Sequence, residues 1–323
     1  MRKYATEFSL NVYPSFKTVI PASQLELCEK DSHKYHIYGI LLAPKYFLKE
    51  GSIVQYIDHF SVTLFSNSFD EYTEHKLDVM FASDLNHQRI QFKSSYPHSI
   101  LKVEIEDDVW CKKHSFDKNI EIQITELFDL YANRLLDRIK YKVLYIGQAY
   151  GKRGERSALE RLSSHETLQK ILIDAQRNFP EYEIKIMLLE MAYRLGFGIA
   201  RSSVQTSKSN EEDTDHIYSV TSNLPQEQQV INISEAALIN YFKPAYNVTF
   251  VENFPSPKHK SYHQYYELDY NELLIEMDME FDNFPYIELY TDTASIKTVW
   301  DFIHYKLEND ENRESMYAMF RSQ

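Results

Sequence analysis

Glycine is scarce in this chain, with seven among 323 residues. That shortage argues against the glycine-rich loops that cradle dinucleotides and nucleoside phosphates. Cysteine is scarcer still. Cys28 and Cys111 give no disulfide framework and cannot supply a four-cysteine metal site. Long apolar runs are missing. No stretch approaches the roughly 18–20 uninterrupted apolar residues of a membrane span, and the start, MRKYATEFSLNVYPSF, lacks the apolar core of a signal peptide. The expectation is a cytoplasmic chain with no membrane span. Positive charge is in deficit too. A net charge of −13 argues against a general nucleic-acid coat protein.

What is present is aromatic. Tyrosine occurs 25 times, which favours regular, aromatic-rich packing. At 323 residues the chain is too long for one comfortable core, so two or three domains are expected. Charge is spread unevenly. Between Tyr141 and Lys170 there are six basic and three acidic residues, whereas from Val251 to Gln323 there are six basic and 15 acidic ones. The first stretch suggests a local anion site. The second reads as a solvated or partner-facing surface.

The first ~115 residues read as strands: KYHIYGILLAP, SIVQYIDHFSVTLFS, RIQFKSSY and ILKVEIEDDVW are β-branched and aromatic, broken by turn formers. NIEIQI alternates as a further strand. TELFDLYANRLLDRI has helical spacing, KVLYIG is a short buried strand, and ERSALERLSSHETLQKILIDAQRNF is again helical. EYEIKIMLLEM is a strand, and ARSSVQTSKSNEEDTD is polar enough for a flexible loop. SEAALINYF reads as a short helix with Ser234 as N-cap, ending before Pro244. SIKTVWDFIHYKLEND has the pattern of an amphipathic helix. The resulting expectation is a mixed α+β protein, with boundaries at 1–117, 118–250 and 251–323.

Three of the seven glycines, Gly147, Gly151 and Gly154, fall in YIGQAYGKRGERSALERLSSH, where they are expected to let the chain turn tightly. In that stretch Lys152, Arg153 and Arg156 could clamp backbone phosphates or simply be surface charge. Arg161 and His165, four residues apart, share a helical face. Arginine offers a planar fork for a phosphodiester, and histidine can move a proton near neutral pH. Downstream, EAALINYFKPAYN contains Glu235 and Asn247. A carboxylate early in a helix can hold one hard divalent cation. Each of these residues, taken alone, is also an ordinary surface or core residue. CKKH (Cys111, His114) is half a possible zinc site with no second half nearby, while Trp110 and Trp300 read as packing residues.

In order and spacing, LYIG, RLSSH and EAALINYFKPAYN resemble the GIY-YIG nuclease superfamily, most closely the incision domain of the bacterial nucleotide-excision-repair endonuclease. The resemblance covers roughly residues 142–250. It implies a small GIY-YIG-like α/β domain with a small antiparallel sheet and flanking helices, here preceded by a mainly β accessory domain and followed by an acidic α/β region. It also implies a metal-dependent DNA endonuclease. Tyr145 would be the second family tyrosine, Arg161 would steady the scissile phosphate, and His165 would sit where some members keep a site histidine. Glu235 would bind Mg²⁺ or Mn²⁺, and Asn247 would shape the site. Lys152, Arg153 and Arg156 would contact DNA, and the acidic C-terminal region could meet a protein partner. A restriction or phage-defence role would suit such a nuclease. The chain departs from the family in having no GIY strand just before Tyr145; Tyr131 or Tyr141 could replace the missing tyrosine. A catalytically decayed nucleic-acid-binding or interaction protein on the same fold is the alternative.

Overall fold

The structure is a computed structural model that describes residues 1–30, 32–69, 71–132, 139–148, 162, 166–200, 204–281, 287–307, 310 and 312–318, the side chains of 27–30 excepted. It is mainly β. In chain order the strands are β1 Thr6–Pro21, β2 Ile37–Pro44, β3 Phe47–Leu48, β4 Val54–Gln55, β5 His59–Ser66, β6 Thr73–Met80, β7 Ile90–Lys93, β8 Ile100–Ile105 and β9 Asn119–Gln123. They continue with β10 Ile139–Gln148, β11 Tyr182–Ile199, β12 Glu272–Asp278, β13 Ile287–Tyr290, β14 Ser295–Ile296 and β15 Trp300–Lys306. The described α-helices are α1 Asp108–His114, α2 Ile124–Tyr131, α3 Glu166–Asn178, α4 Asn210–Ser222, α5 Glu227–Phe242 and α6 Gln264–Glu267.

One eight-stranded sheet organises the molecule, in the order β14-β13-β10-β2-β11-β1-β12-β15. Its centre is antiparallel, with β10, β2, β11 and β1 pairing in turn, while β12 on β1 and β13 on β10 are parallel. This corrects the expected fold class. The YIG strand β10 does not sit in a small sheet of its own behind a separate β domain. Its neighbours are β2, from the first 117 residues, and β13, from the last 73. A buried strand must pair its backbone groups on both edges, and here the partners come from distant sequence. Residues 45–138 are therefore an insertion between two paired strands. They include a four-stranded sheet (β3, β5, β4, with β6 on β5) and a three-stranded one (β7-β8-β9).

Every residue of β2 is buried, and its side chains alternate between two cores. Ile37, Leu41 and Ala43 enter the larger core with Met187, Leu189 and the apolar face of α5. Tyr38, Ile40 and Leu42 enter a smaller one with Ile184, Ile186, Leu188, and Leu168 and Ile171 of α3. The central strands are thus sandwiched between α5 and α3.

Four local expectations change. The polar stretch expected as a loop contains α4, started by a capping box in which Glu212 N–H donates to Ser209 Oγ (3.2 Å) and Ser209 N–H to Glu212 Oε2 (2.9 Å). Ser234 is not an N-cap: it lies inside α5, fully buried, its Oγ donating to the carbonyl of Val230 at 2.7 Å. SIKTVWDFIHYKLEND forms β14 and β15, because Trp300, Phe302 and His304 also fit a period of two and the strand can pair β12, Ile275 opposite Ile303. Trp300 is exposed rather than packed, whereas Trp110 is buried.

Candidate active site

β10 carries a register shift between Val143 and Tyr145, a bulge at Leu144. Up to Val143 the odd-numbered side chains face the larger core, as Tyr141 and Val143 do. The extra residue turns Tyr145 to the other face, where it packs on the smaller core beside Tyr38. In the antiparallel register Tyr145 lies opposite Ile40 and Gly147 opposite Tyr38, so the two tyrosines are diagonal neighbours, with ring centroids 6.1 Å apart. Gly147 is required by this approach rather than by a turn. A Cβ there would lie 2.6 Å from Tyr38 Oη and 2.8 Å from Tyr145 Cε1.

Asn247 grips the same strand. Ile146 N–H donates to its Oδ1 at 2.9 Å, and its Nδ2 donates to the Ile146 carbonyl at 2.8 Å. Tyr246 N–H donates to the Leu144 carbonyl at 3.1 Å. Together they take the place of a strand partner along the edge that β13 leaves beyond Lys142. The approach is set by the end of α5, where Lys243 adopts a left-handed conformation (φ 47°), Pro244 blocks continuation, and Asn247 N–H donates to the Pro244 carbonyl at 3.1 Å. Tyr246 Oη also donates to Asp174 of α3, at 2.8 Å.

The start of α5 is held as well. Its first residue, Glu227, lies 3.6 Å from Nε2 of His36, whose Nδ1 accepts from Met191 N–H at 3.0 Å. Burial lowers the His36 pKa, and Glu227 opposes the shift. The helix bearing Glu235 is thereby tied at its start to His36 and, through the turn after its end, to Leu144 and Ile146 of β10. Glu235 is half-buried; Ala236, Ala237, Leu238 and Ile239 after it are in the larger core. Gln229, Asn232 and Glu235 recur every three residues as a half-buried polar stripe.

Of the residues expected from sequence, the structure thus places Tyr145 and Asn247 side by side and Glu235 on a helix packed against their strand. Arg161, His165, Lys152, Arg153 and Arg156 lie outside the described residues, as do Gly151 and Gly154. Tyr38 was missed. HIYGI reads as one strand among several, and nothing local ties it to LYIG across the long insertion. Both proposed substitutes, Tyr131 and Tyr141, pack with the larger core. Tyr141 faces the larger core, where burial pushes its phenol pKa well up, and Tyr131 ends α2. CKKH does not form a metal site: Cys111 is buried, and His114 Nε2 pairs with Asp84 at 2.9 Å, alongside Lys113 (2.7 Å) and Trp110 Nε1 (2.8 Å).

Among the described residues no three His, Cys, Asp or Glu side chains lie close enough to share a metal ion. The tyrosine pair lies on the smaller-core face of the sheet, and α5, which carries Glu235, packs on the larger-core face. No helix among the described residues is long and apolar enough to cross a membrane. No family model, curated protein or solved structure matches the chain.

Proposed function

We propose that the chain is a GIY-YIG-type, metal-dependent phosphodiester hydrolase acting on DNA in the cytoplasm, with Tyr38 as its first site tyrosine. The observation that carries this reading is the bulge at Leu144, which turns Tyr145 onto the face occupied by Tyr38. A β-bulge that pairs two phenols over a glycine is a device for placing side chains. Tyr38 would take the proton of the attacking water, with the Tyr145 phenol beside it relaying or tuning that transfer. Arg161, by its place in the resemblance, would hold the scissile phosphate. Glu235 would hold Mg²⁺ or Mn²⁺, which supplies charge stabilisation at the phosphate when bound. Asn247 acts by positioning, since both amide atoms are committed to Ile146. A restriction or phage-defence role fits this activity.

One observation favours the second reading, a binding protein on a decayed nuclease framework. Tyr38 is fully buried, and α5 packs on the opposite side of the sheet from the tyrosine pair. The nuclease reading requires the Glu235 carboxylate to meet the pair at the open end of β10. Nicking of supercoiled plasmid with Mg²⁺, Mn²⁺ or EDTA decides between the two. Metal-dependent nicking that falls at least ~100-fold in Glu235→Gln supports the hydrolase. A gel shift without nicking under any metal supports the binding protein.

A further inference from the structure

Leu144 and Tyr145 are consecutive, yet both side chains pack with the smaller core, while Val143 and Ile146 on either side enter the larger one. The extra residue of a bulge has no place in the strand ladder, so its backbone groups need a partner from elsewhere. For the Leu144 carbonyl that partner is Tyr246 N–H, at 3.1 Å. The residue after it, Asn247, holds both backbone groups of Ile146. The turn after α5 therefore grips the two residues that flank Tyr145.

A backbone N–H sits where the rest of its residue is held. The Tyr246 ring packs against the smaller core, and its Oη donates to Asp174 Oδ2 of α3 at 2.8 Å. Asp174 makes no ion pair among the described residues; its charge-assisted bond is to the phenol. Lys170, one helical turn earlier on the same face of α3, places its ammonium 5.8 Å from the centre of the Tyr246 ring. Burial raises the Tyr246 pKa, and the bond and charge of Asp174 raise it further, so the phenol keeps its proton and donates. The contacts run in series. Asp174 holds the Tyr246 ring, Tyr246 N–H holds the Leu144 carbonyl, and the bulge at Leu144 sets the face of Tyr145.

We propose that Asp174 and Tyr246 are positioning residues for Tyr145, tying α3 to β10 so that the phenol stays beside Tyr38. The kinetic side of this rests on the hydrolase reading; the structural side stands on these contacts alone. The test compares Tyr246→Phe, which keeps the ring and the backbone N–H but removes Oη, with Asp174→Ala and Asp174→Asn in the full chain. In plasmid nicking with Mg²⁺, Tyr246→Phe and Asp174→Ala should each lower kcat roughly tenfold with KM unchanged, and the double variant should be no worse than either. Asp174→Asn keeps an oxygen acceptor at the same reach and should recover most of the loss. A second readout does not depend on cutting. With ¹³C-labelled tyrosine, the Tyr145 ring resonance, assigned by its absence from Tyr145→Phe, should move in Tyr246→Phe and Asp174→Ala. Ile146 N–H, which donates to Asn247 Oδ1, should exchange faster in both. A chain that cuts under no condition ends the hydrolase reading, and the Tyr145 resonance and Ile146 exchange then decide the positioning by themselves. An unmoved Tyr145 resonance with unchanged Ile146 exchange overturns the proposal, whether or not the melting temperature falls. So does a double variant whose loss is the product of the two single ones.

Discussion

Tyr141 and Tyr145 lie four residues apart on one strand and live in different chemistry. Tyr141 faces the larger core. The Lys185 ammonium sits 5.7 Å from its ring centre, bound to both oxygens of Asp129 at 2.6 Å and lying 3.3 Å from Glu183. Tyr145, past the bulge, faces the smaller core beside Tyr38. At the Tyr141 end buried charges are matched to one another. At the Tyr145 end two phenols meet on the face of the sheet opposite the helix that carries Glu235. The contrast shows that one inserted residue, rather than tyrosine content, decides which core a phenol faces.

Breaking this comparison at the Tyr145 end should have the largest effect. Tyr38→Phe keeps the ring and its packing but removes the proton acceptor, and should lower nicking by roughly 10²–10⁴-fold with an unchanged melting temperature. At the Tyr141 end the expected cost is in stability. Lys185→Met leaves two buried carboxylates without their cation and should destabilise the fold by about 3–5 kcal/mol in urea titration. Gly147→Ala forces a methyl group into both tyrosine rings. The rings and strand must shift, at about 1–3 kcal/mol, and nicking should fall with them.

The smallest effect is in pH dependence. Burial pushes the Glu183 carboxyl from 4.5 up to about 7, against the pull of Lys185. Between those values the folded chain holds a proton that the unfolded chain has lost. The contribution is therefore present at acid pH and is lost as pH rises through about 7. Glu183→Gln should raise the melting temperature at pH 8 by roughly 2–4 °C and leave it little changed at pH 4.5. An equal gain at both pH values would refute the assignment.

Local patterns in the sequence were readable where a segment's own periodicity decides its state. The strand character of HIYGILLAP and KVLYIG, and the helix ending before Pro244, follow from side-chain alternation and proline chemistry. Pairing was not readable. β2 and β10 meet across an insertion with two sheets of its own, so the local text around LYIG could not name Tyr38, and a small independent domain looked sufficient. WDFIHYK shows the other limit: its aromatic and β-branched residues satisfy helical and strand periods alike, and only β12 on one side settles the choice. Asn247 was legible as a motif residue, yet its role as a backbone clamp on Ile146 needed coordinates.

The measurement that tests the central claim most directly is plasmid nicking in Mg²⁺ by Tyr38→Phe, Tyr141→Phe and Tyr131→Phe, compared with the unaltered chain. The account predicts that Tyr38→Phe alone abolishes nicking while the other two cut normally. Full activity in Tyr38→Phe, or a loss confined to Tyr141→Phe or Tyr131→Phe, would contradict it.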